Sequence, residues 1–172
     1  QVNSNTSIDY NQWYQVAVTR SGSGIQLFID GVTVGSGTFS GDITFPPSVN
    51  TYIGRNWMGD GGYPANYHFE GFIDEVAIWD DALSAMEVAA LYNSGNPLTA
   101  STNSGYYTSS SNLVGYWQLN EGSGTYTTDG SGNGNPGTIY GANWSTDIPG
   151  SSTIPSGGDG DGSIELLTGS YG

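Results

Sequence analysis

The chain contains no cysteine and no lysine, one histidine (His68) and two cations, Arg20 and Arg55. Each absence removes a class of chemistry. Without cysteine there is no disulfide framework, zinc–thiolate site, iron–sulfur cluster or thiol nucleophile. Without lysine there is no Schiff base and no phosphate-binding P-loop. Against the two arginines stand sixteen Asp and Glu, a formal net charge of −14 over 172 residues. A duplex-binding protein neutralises phosphates with Lys and Arg, so nucleic acid is excluded as a partner. An anionic membrane surface repels this chain for the same reason. No apolar run approaches the length of a membrane span, so membrane insertion is not expected. No signal peptide is visible and the chain lacks an initiator Met, which fits a mature or excised piece of a longer, secreted protein.

What is present is glycine (28 residues), aromatics (13%) and little charge (10%), so the polar surface is built from Ser, Thr and Asn. That mixture favours strands and tight turns. Residues 12–20 alternate, with Trp13, Gln15, Ala17 and Thr19 on one face and Tyr14, Val16 and Val18 on the other. A Ser-Gly turn leads to 25–29, and Asp30-Gly31 then gives a two-residue hairpin signal before 32–34. These segments read as an antiparallel meander. Further strands are expected at 51–54, across Phe69 to Trp79, and at 113–119. Ser84-Ala-Met-Glu87 fits a capping box for one short helix, whose apolar stripe would be Met86, Val88, Ala89, Leu91 and Tyr92. Gly95 and Pro97 end it. Residues 97–112 read as a Ser/Thr/Asn linker and 150–172 as a Gly/Asp-rich tail.

Several phrases carry a resemblance. Trp13-Tyr-Gln-Val-Ala-Val, Gln26-Leu-Phe-Ile-Asp-Gly31, Tyr52-Ile-Gly-Arg55, Phe69-Glu-Gly-Phe-Ile-Asp-Glu-Val-Ala-Ile-Trp79 and Ala82-Leu-Ser-Ala-Met-Glu87 resemble, in order, the C-terminal half of a laminin-G-like domain. Leu113-Val-Gly-Tyr-Trp-Gln-Leu-Asn-Glu-Gly-Ser-Gly124 and Asp129-Gly-Ser-Gly-Asn-Gly-Asn-Pro-Gly137 resemble the opening of the same domain. The resemblance implies an all-β fold, an antiparallel concanavalin-A-like jelly-roll sandwich with one short helix. The family's opening here follows its ending, which leaves two arrangements: 113–149 starts a second tandem repeat, or it folds back on 1–96 as a permuted copy. Either way, unpaired strands leave open edges that a neighbouring copy can complete.

The glycine-loosened loop from Asp129 to Asn135 offers a carboxylate, amide oxygens and bare carbonyls, the hard donors calcium takes. The resemblance implies that this loop joins an acid of the Ile-Asp-Glu-Val strand, giving Asp74, Asp129 and Asn133 as ligands with Glu121 a weaker one. The competing reading is an Asx-rich turn without metal. A second acidic stretch, 158–165, has Asp159 and Asp161 at EF-hand positions 3 and 5. It carries Gly157 and Thr168 where an EF-hand needs acids, and so reads as solvated linker.

Trp57, Asp60, Tyr63 and Tyr67 stand among Gly and Asn in the 55–68 loop and are the candidates for glycan contact, rings stacking on sugar faces while carboxylate and amide take hydroxyls. Alternatively these rings cover the loop's own small core. Trp13, Trp79 and Trp117 fall in strand phrases and are expected in the core. Asp74 and Glu75 are adjacent, hence on opposite strand faces, which disfavours a glycosidase carboxylate pair. The expectation is a non-catalytic, calcium-stabilised, glycan-binding extracellular module, the alternative being a structural unit of a fibre or sheath whose copies complete each other's sheets.

Overall fold

A computed structural model describes residues 2–41, 50–56 and 67–150. Strands β1 (Val16–Ser21), β2 (Gly24–Ile29) and β3 (Val32–Thr38) form an antiparallel meander in that order. Its tight turn is the Asp30-Gly31 pair, both at positive φ (51° and 74°), the geometry that a two-residue hairpin needs to match strand twist. Gln15 locks the turn: its N–H donates to Asp30 Oδ1 at 2.8 Å, and its side-chain oxygen accepts from Gly31 N at 3.1 Å.

Short pairs follow. β4 (Arg55–Asn56) pairs with β5 (Tyr67–His68), and β8 (Tyr126–Thr127) with β9 (Gly137–Thr138). The expected strand at 51–54 is turn and irregular chain instead, with pairing starting at Arg55. The extended strand expected across Phe69 to Trp79 is cut to β6 (Val76–Trp79), because Glu75 adopts a left-handed backbone (φ 52°) that breaks the pleat.

Helix α1 (Ala85–Tyr92) begins as its sequence requires. Ser84 is the N-cap and shares a reciprocal capping box with Glu87. Its buried face differs from the expected stripe, for Val88 and Leu91 point inward while Met86 is 65% exposed and the charged Glu87 is buried. Glu87 is drawn in by hydrogen bonds that Met86 cannot make. The helix lies on the Ala17/Phe28 face of the meander, where Gly31 touches the Ala89 backbone so closely that a Cβ would stand 2.9 Å from Ala89 Cα.

Residues 113–149 close onto 1–96 within one chain. β7 (Leu113–Trp117) runs antiparallel to β6, with Val76 opposite Trp117 and Ala77 opposite Tyr116. The 97–112 stretch, linker-like in composition, is packed: Ala100 and Tyr107 are buried, and Tyr107 belongs to the same core cluster as Phe28, Leu83, Val88, Leu91, Leu113 and Tyr116. A second cluster centres on Trp117 and Leu119. The Trp117 ring folds back over Gly115, leaving no room for a side chain there. Trp79 packs half-buried against the first cluster, and Trp13 lies half-buried beside Phe72, ring centroids 6.2 Å apart.

Candidate functional site

Two adjacent half-buried acids stand beside the β6–β7 pair. Asp74 and Glu75 sit half-buried just before β6. Burial, and then the neighbouring Glu75, raise the Asp74 carboxyl to about 6, although Asp74 Oδ1 accepts the Glu75 N–H at 3.1 Å. Burial also raises Glu75, opposed by hydrogen bonds from Tyr116 and Gln118. Tyr116, 1% exposed on β7, donates its hydroxyl to Glu75 Oε2, and burial together with that carboxylate pushes its own pKa far up. Strand alternation places Asp74 and Glu75 on opposite faces. The left-handed turn at Glu75 removes that premise and hands Glu75 to Tyr116. Glu75 and Tyr116 were beyond reach of the sequence, because their contact spans 41 residues and rests on a backbone reversal that no local motif announces.

The loop after β8 is held by a different set of contacts. Asp129 spends both carboxylate oxygens on backbone N–H groups: Oδ1 accepts from Tyr116 and Ser131, each at 2.9 Å, and Oδ2 from Asn135 at 3.0 Å. Burial alone would raise its pKa, but these bonds outweigh it and hold the carboxyl below its usual value. Asn133 donates its side-chain amide to Leu113 O at 2.7 Å, Asn135 donates its amide to Val114 O at 2.9 Å, and Ser131 donates its hydroxyl to Val114 O at 3.2 Å. Trp117 Nε1 donates to Asn135 O at 2.7 Å. β6 covers one edge of β7, and this loop covers the other with side chains and with the Gly130 N–H, which donates to Tyr116 O at 2.7 Å, in place of a strand. An uncovered edge would invite pairing with another chain.

Glu121 is occupied elsewhere. Its Oε1 accepts from Thr128 N (2.7 Å), Thr128 Oγ1 (2.9 Å) and Thr127 Oγ1 (3.0 Å), and these bonds overcome burial to lower its pKa. Asp74, Asp129, Asn133 and Glu121 therefore work in separate hydrogen-bond sets. No three His, Cys, Asp or Glu side chains among the described residues stand together as a metal site. The four residues, as placed, do not fit a calcium cage: Asp129's lone pairs already meet three donors, and Asn133 turns its amide nitrogen toward Leu113.

Asp129→Ala should consequently act as an edge mutation. We expect a loss of about 2 kcal/mol of stability in urea melts, from three backbone N–H groups left without their acceptor. Asp129→Asn, which keeps one acceptor oxygen, should lose less.

Of the candidate glycan contacts, Trp57, Asp60 and Tyr63 lie outside the described residues, as does the 158–165 acidic stretch. Tyr67 lies in β5 opposite Asn56, and His68 is exposed opposite Arg55.

A meander backed by one capped helix, and a β6–β7 pair whose outer edge is closed by an Asx-rich loop, define an antiparallel jelly-roll sandwich of the lectin type. The chain belongs to the concanavalin A-like lectin/glucanases superfamily, whose laminin G model matches residues 1–89. No curated protein matches it. Among solved structures it is similar to the crystal structure of an S-layer domain-containing protein (residues 221–444) from Clostridium thermocellum ATCC 27405. Identity is 36% over 52% of this chain and 43% of that chain, with a TM-score of 0.47. The chain thus spans under half of that solved chain.

Proposed function

We propose that the chain is a non-catalytic carbohydrate-recognition module of an extracellular or cell-surface protein. The observation that carries this reading is membership of the lectin/glucanase superfamily over 1–89, a match that takes in the Trp57–Tyr67 stretch. The charge of −14 points to a neutral glycan, since an anionic one would be repelled. In the Asp74–Glu75 pair before β6, Glu75 is committed to Tyr116, which supports binding over hydrolysis. No helix of the described residues is long and apolar enough to cross a membrane.

The test is a panel of neutral polysaccharides assayed for both binding and release of reducing ends. Binding without release is expected, and Trp57→Ala should weaken it by about tenfold, the scale of one lost aromatic stack. Unchanged binding by Trp57→Ala would remove the loop from the reading, and released reducing ends would make the protein an enzyme.

The proposal extends to calcium. Protein donors already hold the 129–135 loop, so the ion is not needed for stability. Thermal melts in millimolar calcium and in excess EDTA are expected to coincide. A melt that falls in EDTA would restore the calcium site implied by the resemblance.

A further inference from the structure

The outer face of the meander is apolar, exposed along β1 and at Val32 but covered over Ile29, which is buried. Val16 and Val18 on β1 and Val32 on β3 are 62%, 65% and 63% exposed. They share this face with Leu27 and Ile29 of β2, since Val16 stands opposite Ile29, Val18 opposite Leu27, and Ile29 opposite Val32. The face directed at α1 carries Ala17 and Phe28 instead.

The two edges of this sheet differ. Beside β3 runs the N-terminal segment: Asn5 N donates to Val34 O at 3.2 Å, and Asn3 and Val2 lie so close over Gly35 and Gly37 that a Cβ there would collide with them. β1 is the free edge among the described residues. Gln15 O accepts from Asp30 N, which fixes the ladder's phase. Ala17 and Thr19 therefore exchange hydrogen bonds with β2, and the N–H and C=O groups of Val16, Val18 and Arg20 point outward. The edge has no proline or bulge, and its one charge, Arg20, is engaged with Gly22 O and Gly41 O at 2.9 and 2.7 Å.

Charge decides what docks there. Sixteen acids are spread over the chain, yet residues 12–41 contain a single acid, Asp30, and a single cation, Arg20. In a molecule of charge −14, this sheet is a locally neutral surface on which two copies can meet without setting carboxylate against carboxylate. The edge is also self-complementary: antiparallel pairing about Val18 sets Val18 opposite its counterpart and Val16 opposite Arg20 of the other copy.

We propose that β1 is a self-association edge, at which two copies of this chain pair antiparallel across a twofold axis to form one six-stranded sheet. This goes beyond glycan recognition and stands independently of it. The interface is small and the partners are both strongly acidic, so association should be weak and should strengthen as salt screens the repulsion.

Sedimentation velocity of the full chain over a hundredfold concentration range, at low and high salt, tests the proposal. A monomer–dimer equilibrium is expected that shifts toward dimer at high salt. Val18→Lys, which places two cations face to face on the axis, should raise the dissociation constant by about tenfold or more. Should that variant lose its thermal melt, Val18→Thr, a good strand former, replaces it with a smaller shift in the same direction. In the wild type, amide exchange at Val16, Val18 and Arg20 should slow as concentration rises, while Ala17 and Thr19 stay unchanged. A monomer at every concentration and salt, or a dimer indifferent to both Val18 variants and without that alternating protection, overturns the proposal.

Discussion

Tyr107→Ala is expected to cost about 4 kcal/mol, a large share of the total stability of a domain this size. Tyr107 is fully buried. Its ring meets Trp79 edge-on, centroids 6.4 Å apart and planes at 79°. Its hydroxyl donates to Ala100 O at 2.6 Å and accepts from Trp79 Nε1 at 2.9 Å. Truncation opens a cavity between α1, β6 and the 97–112 stretch and strands two buried polar groups. Tyr107→Phe separates the terms, keeping the volume and losing only the hydrogen bonds, for about 1–2 kcal/mol. Urea unfolding of both variants checks this. If 97–112 were a solvated tether, both substitutions would be silent.

Glu87 should give the largest pH effect. Its carboxylate is 9% exposed and is met from both sides. Ser84 donates its N–H (3.0 Å) and hydroxyl (2.9 Å) to Oε2, while Ser109 Oγ (2.6 Å), Thr108 Oγ1 (3.2 Å) and Thr108 N (3.3 Å) donate to Oε1. Burial pushes the pKa up, but the bonds from Ser109, Ser84 and Thr108 prevail and bring it down to about 2 from 4.5. A carboxyl whose pKa is lower folded than unfolded stabilises fully above the unfolded value, and its contribution fades as pH falls through the folded one. Glu87→Gln should therefore cost about 2–3 kcal/mol at pH 7, with the gap to wild type at least halved by pH 3 and nearly closed at pH 2. Denaturant melts across that range check it. A gap independent of pH would mean that the carboxylate's charge plays no part.

Both residues show where reading the chain stops. Ser84 and Glu87 announce a helix start, because a capping box is completed within four residues. That the same carboxylate also receives Thr108 and Ser109 depends on a chain reversal some twenty residues on. The apolar pattern therefore selects Met86 for the core, where the structure buries Glu87 and leaves Met86 in water. Residues 97–112 have the composition of a linker, and one tyrosine with two polar partners is enough to make them part of the core. Likewise the Asp129 loop shows oxygen donors suited to calcium. Only the placement of Tyr116, Leu113 and Val114 beside it reveals that those side chains close the edge of β7.

Local chemistry determined what is complete within a few residues. The Asp30-Gly31 hairpin, the three-strand meander, the capped helix and the all-β class all follow from turn geometry, period-two alternation and capping, which need no distant partner. The tertiary structure decided which face of an alternating strand is covered. β1 has an Ala17 face and a valine face, and α1 docks on the smaller side chain, leaving Val16 and Val18 outside. It decided too that 113–149 closes on 76–79 within the chain, and that Glu75 turns back to Tyr116. Those outcomes depend on contacts between residues tens of positions apart, whose energies belong to pairs that no single stretch of sequence contains.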